Sequence, residues 1–196
     1  GGYQFAFAMP LGNGLIGPQF VPYNTYQPSL DPADAGNLPA NWIQLTNLGA
    51  SKQTGDLVFY NQAGTEIARQ EVTLKAGARF DYSGHDTAGR NQVGLVEWLP
   101  IASDARFQLR NVRYYYRADG VTVPLGDDFD SAFQLEGIVG SGQVLTVPLD
   151  TANSSSVLEI ANTLNEEVKA EVILYAATGG EALHHQTYKL KPHATH

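Results

Sequence analysis

WIQLTNLGASKQTGDLVFYNQAG, Trp42 to Gly64, recurs without a gap as VLEIANTLNEEVKAEVILYAATG, Val157 to Gly179, at a constant shift of 115 positions. Asn47/Asn162, Tyr60/Tyr175, Gly64/Gly179 and Glu66/Glu181 are identical pairs. One further residue in the second copy brings Val72 onto Tyr188, Leu74 onto Leu190 and Lys75 onto Lys191. Self-similarity at a long fixed period is the signature of an array of like units. A structural or binding role is therefore the first expectation and an enzyme the second.

Shorter matches lie upstream: Val21–Thr25 (VPYNT) repeats as Val147–Thr151 (VPLDT), and Met9–Gly12 (MPLG) as Val123–Gly126 (VPLG). The opening residues then read as the tail strand of a preceding unit. The first unit runs on to Tyr116, whereas the second stops at His196, the counterpart of Phe80. The expected division is a donor-like strand at 1–12, a first unit at 13–120 and an incomplete second unit at 121–196.

Alternation of apolar and polar residues, the mark of a half-buried strand, runs through nearly every segment. It predicts strands at Tyr3–Met9, Trp42–Thr46, Asp56–Asn61, Ile67–Leu74, Gly94–Trp98, Phe107–Tyr116, Val144–Leu149, Val157–Ala161, Ala170–Ala176 and Leu183–Leu190. Turn residues separate them at Asn61–Gly64, Lys75–Gly77, Ala118–Gly120 and Thr178–Gly180. Helical spacing is confined to Asp31–Gly36. The fold class expected is all-β: two related antiparallel β-sandwich (Ig-like) modules in tandem, the second short of its last strands. Trp42, Ile43, Leu45, Leu57 and Phe59 are expected to build one core, and Val157, Leu158, Ile160, Val172 and Leu174 another.

Composition narrows the function classes. A net charge of −8 argues against sequence-independent nucleic-acid binding, which needs clustered cations. With no cysteine, disulfides, thiolate chemistry and Cys-ligated zinc are excluded. No apolar run approaches the ~20 residues of a membrane-spanning helix.

Several groupings imitate catalytic or ligand sites. Gly12–Gly17 spells GxGxxG, but Pro18 and Pro22 bracket another strand-like piece where a dinucleotide site needs a helix. Asp127, Asp128 and Asp130 group hard oxygen donors and are the candidate Ca²⁺ ligands, without the spacing of an EF-hand; a solvated loop is expected, and no cofactor. Asp81, His85 and Asp86 in a Gly-rich stretch read as a turn held by side-chain hydrogen bonds rather than an acid/base set. His184 and His185 are adjacent on a strand and point to opposite faces, so they cannot grip one ion. No catalytic residue is expected. The segment Arg110–Arg117 is the most distinctive: alternation puts Tyr114 and Tyr116 on one face, and with Arg113 they are the candidate ligand residues, since sugar C–H faces pack on aromatic rings.

A strand ending in Asn, a second strand carrying φ-Tyr-x-x-x-Gly, and a loop beyond it resemble the tandem immunoglobulin-like β-sandwich modules of bacterial cell-surface and secreted proteins. The likeness spans Val21–Tyr116 and Val147–His196. It implies an extracellular protein with an adhesive or scaffolding role and no catalytic residues. Self-association is the expected partner interaction, with Tyr3, Phe5, Phe7 and Met9 as a bulky row that could complete a neighbouring unit by strand addition; carbohydrate is the alternative partner.

Overall fold

The computed structural model describes residues 14–26, 40–116, 129–140 and 157–196. Every regular element but one in these segments is a strand, and every pairing is antiparallel. One sheet holds β1 (Leu15–Ile16), β8 (Arg106–Tyr116), β3 (Ala40–Asn47) and β6 (Arg79–Ser83) in that order, with β9 (Phe129–Glu136) also on β8. A second sheet holds β2 (Gln19–Asn24), β7 (Val93–Pro100), β4 (Gln53–Asn61) and β5 (Glu66–Leu74). A separate two-stranded ribbon is formed by β10 (Val168–Tyr175) and β11 (Ala182–Leu190).

The first two sheets bury one shared core. Val21, Tyr23, Leu57, Phe59, Val96 and Trp98 come from one sheet and Ile43, Leu45, Phe107 and Leu109 from the other. The period of two explains the assignment: Leu57 and Phe59 face the opposite sheet while Val58 and Tyr60 face outward into a smaller cluster with Phe20 and Leu95. Buried amides tie the sheets together at the edges of the core. Gln19 on β2 donates to the Phe107 carbonyl (3.0 Å) and accepts from the Leu109 amide (3.1 Å) on β8. Asn111 donates to Pro22 O (2.9 Å) and to Asn41 Oδ1 (2.9 Å). Each supplies partners that a buried backbone group would otherwise lack.

Several sequence expectations change here. Trp42, expected in the core, is 38 % exposed on the outer face of its sheet. Val157–Ala161, expected as a strand, forms only an isolated bridge, Ala161 to Thr195. Of the second expected core, Val157, Leu158 and Leu174 are exposed, because the ribbon has no full opposing sheet among the described residues. A five-residue helix, α1 (Gly84–Ala88), occupies the stretch expected as a turn. There Ser83 Oγ donates to Asp86 Oδ2 (2.6 Å) and His85 Nδ1 lies 3.2 Å from the Asn41 amide. β6 (RFDYS) and β9 (FDSAFQLE) are further strands, absent from the expected set although both carry a period of two. Tyr3–Met9, Asp31–Gly36 and Val144–Leu149 lie outside the described residues. No helix among the described residues is long and apolar enough to cross a membrane.

Candidate functional site

The repeated sequence folds into a repeated corner. Asn47 at the end of β3 donates from Nδ2 to the carbonyls of Ser51 (2.8 Å), Leu74 (3.0 Å) and Lys75 (3.2 Å), and its Oδ1 accepts from Gly49 N (2.9 Å). Asn162 makes the equivalent set, with the two strand-end carbonyls one residue further along the chain: Glu166 (2.7 Å), Leu190 (3.2 Å), Lys191 (2.9 Å) and Leu164 N (2.9 Å). Their own amides bond Ala78 O (3.0 Å) and Ala194 O (2.8 Å). Leu45 pairs with Phe80, and Ile160 exchanges two 2.8 Å bonds with His196. Both hairpins even shift register at matching points, Phe59/Tyr60 and Leu174/Tyr175. A side chain that satisfies several loop carbonyls at once needs an amide of one length in one orientation, which is why Asn marks the corner.

The second corner sits on the outer face of the β2–β7–β4–β5 sheet, and this seam is the most elaborate polar and aromatic constellation of the described residues. His193, in the left-handed region at φ 58° where Gly77 (φ 71°) stands in the first copy, stacks on Tyr60 with centroids 4.2 Å apart. Tyr60 donates to Glu97 Oε2 at 2.8 Å. His193 Nε2 lies 2.8 Å from Asn165 Oδ1. The Thr195 amide donates to Gln62 O (3.1 Å) in the β4–β5 turn. Gly64 in that turn has φ 82°, and a Cβ there would lie 2.0 Å from Pro192 O, so both its conformation and its contact call for glycine.

A buried ion pair closes the other end of the seam. Arg113, 2 % exposed, grips Glu159 with Nη1 to Oε1 at 3.0 Å and Nη2 to Oε2 at 2.9 Å, and Nη2 also donates to Pro22 O (3.1 Å). This is the two-pronged geometry in which a guanidinium binds a carboxylate best. The Phe133 ring covers the guanidinium at 5.5 Å. Burial pushes the Glu159 carboxyl up, but the hydrogen bonds and charge of Arg113, with a hydrogen bond from Asn24, outweigh it and hold the group below its ordinary range. Glu97 goes the other way: burial raises it, against the Tyr60 hydrogen bond and the His193 ring. Burial, followed by the bond to Glu97, pushes the Tyr60 phenol far up.

The sequence candidates are separated by this arrangement. Arg113 is committed to the seam and faces inward, so it does not share a surface with Tyr114. Tyr114 instead lines a shallow hollow on the outer face of the β3–β6–β8 sheet with Trp42, Gln44, Arg79 and Asp81. The Arg79 and Asp81 side chains pair there at 2.7 Å. Tyr116 ends β8. Asp130 lies on β9 rather than in a loop, while Asp127 and Asp128, like Tyr3, Phe5, Phe7 and Met9, lie outside the described residues. Among the described residues no group of His, Asp and Glu is placed to hold a metal ion. Gly14–Gly17 leads from β1 into β2 and not into a helix, as the prolines imply. Glu97 and Glu159 escaped the sequence reading; His193 stood out there only as one of the C-terminal histidines, and the signal for its place in the seam was its position opposite Gly77 in the repeat.

No protein-family model matches the chain, and no curated protein matches it. A solved structure, the crystal structure of Thermotoga maritima 1070, is similar with a TM-score of 0.46 and 10 % identity, over 67 % of this chain and 100 % of that one. The chain is an all-β protein of several antiparallel sheets, compatible with a β-sandwich.

Proposed function

We propose that this chain is a non-enzymatic, extracellular structural protein made of two related Ig-like units in tandem, and that it works by joining such units head to tail. The observation that carries the reading is the corner built twice, around Asn47 and around Asn162, with the second copy seated on the first unit. Strand addition between units supports it. β9 falls within the second unit by the division at 120/121, yet pairs with β8 of the first. The N-terminal residues resemble β9: aligning VPYNT with VPLDT, in place of MPLG with VPLG, lays Tyr3–Met9 on Phe129–Leu135 without a gap, with Ala6 on Ala132 and Phe7 on Phe133. Tyr3, Phe5, Phe7 and Met9 are thus the strand offered to a neighbouring copy. Donor and acceptor lie on different surfaces, so the contact is heterologous and extends into a filament unless it closes a ring. The test is the mass in solution by light scattering, over a hundredfold range of concentration. Growth with concentration that is lost on deleting residues 1–9 supports the reading; the mass of one chain throughout overturns it.

The hollow at Trp42 and Tyr114 favours a second reading, a carbohydrate-binding module. A panel of sugars that raises the melting temperature of the parent chain, and not of Trp42→Ala, would place function there instead.

A further inference from the structure

The seam between the two units has a receiving surface and a docking corner, and the described residues carry each of these twice. The first receiving surface is the outer face of β4 with its turn: Val58, Tyr60, Gln62 and Gly64. Its counterpart on β10 is Ile173, Tyr175, Ala177 and Gly179. Tyr60 is buried under His193, whereas Tyr175 is 55 % and Ile173 is 41 % exposed. Gly64 is crowded by Pro192; Gly179, with nearly the same φ of 78°, has open space around it. The first docking corner is more open: Gly77 and Arg79 are exposed, while their counterparts His193 and Thr195 are buried in the seam.

We propose that the outer face of β10 and its turn receives the Leu48 and Lys75–Arg79 corner of a second copy of this chain, in the pose that the Pro192–Thr195 corner takes on β4. The inference rests on the reading of the repeats as joined units and names the surface that joins them. Continuity with the internal seam argues for it: the same fold of backbone meets the same strand at the same turn. Charge agrees, because Lys75 on the corner would approach Glu171 and Glu181 on the exposed face. One departure is explicit. Gly77 replaces His193, so the Tyr175 ring would lie on bare backbone instead of an imidazole, a contact of smaller area that suits reversible assembly.

The absence of cysteine in the parent chain allows a direct test. In the internal seam Thr195 N meets Gln62 O at 3.1 Å, close enough in backbone terms for a disulfide. The counterparts are Arg79 and Ala177, both exposed. Arg79→Cys and Ala177→Cys, each folded by circular dichroism, are mixed under mild oxidation, with Ala76→Cys and Ala177→Cys as a second pair should the first fail to fold. A disulfide-linked heterodimer from the mixture, a ladder from the double variant, and a severalfold loss of assembly in Ile173→Glu/Tyr175→Glu are expected. If the parent chain assembles but neither pair cross-links and the glutamate variant keeps its mass, this interface is wrong and the assembly reading stands. If the parent chain stays monomeric at every concentration, both fall.

Discussion

The hairpins β4–β5 and β10–β11 share a corner, a turn and a register shift, yet Leu57 and Phe59 are sealed from solvent while Leu174, the counterpart of Phe59, is 39 % exposed. β4 is flanked by β7 and faced by β3, β6 and β8; among the described residues β10 pairs only with β11. Local hydrogen bonding therefore survives without the burial that stabilises it elsewhere. The corner's bonds lie within one hairpin and its flanking loop, at separations of 4 to 29 residues, whereas burial depends on strands more distant in the chain. A two-stranded ribbon alone is marginal in water, and among the described residues the second corner is anchored to β8 by Arg113–Glu159 and to β4 by Tyr60–His193.

The contrast is broken most forcefully in the cores. Phe59→Ala is expected to cost about 3–5 kcal/mol in urea unfolding, the range for truncating a buried aromatic. Leu174→Ala is expected to cost well under half of that; equal losses would mean that the second hairpin is covered in solution.

Arg113→Ala comes next, because it strands the Glu159 carboxylate in the seam. The expected loss is at the lower end of about 3–5 kcal/mol, since Glu159 keeps some solvent contact. Amide hydrogen exchange should show it as faster opening of β10, β11 and residues 157–163, with β3, β4 and β7 protected. Uniform acceleration would mean that the seam and the first core unfold as one.

The Asn corners sharpen the comparison by their similarity. Asn47→Ala and Asn162→Ala each leave loop carbonyls without a donor, at about 1–3 kcal/mol. If the corner is one device used twice, calorimetry returns two losses of similar size; a silent Asn162→Ala would show that its bonds are replaced by water.

The smallest effect is a pH dependence of opposite sign within the seam. Glu159 has a depressed carboxyl pKa, so its contribution is present above the unfolded value and fades as pH falls through the folded one. Glu97 has a raised pKa, so its contribution is greatest below the unfolded value and is lost as pH rises through the folded one. Between pH 7 and 3, Glu159→Gln should flatten the acid loss of melting temperature and Glu97→Gln should steepen it. Identical slopes in both variants would mean that neither carboxylate is held as described.

Much of this was legible before any coordinates. The all-β class, the β4–β5 and β10–β11 hairpins and the equivalence of Asn47 with Asn162 follow from alternation, turn residues and a gapless repeat, all local properties of the chain. The side of a strand that faces the core was not legible where both sides carry apolar groups: Trp42 and Ile43 are both large and hydrophobic, and only the position of the opposing sheet puts Ile43 inside and Trp42 out. The seam was equally hidden. Arg113 beside three tyrosines suggests a surface platform, and Glu159 lies 46 positions away; their pairing exists because the second corner folds back over β2 and β8. Sequence by itself determined the recurrence of the corner and its hairpin, since both copies carry the same Asn, the same turn glycine and the same alternation. Tertiary structure alone decided which copy is buried and which is left open, because burial depends on what lies opposite a strand, and that is set by contacts between residues far apart in the chain.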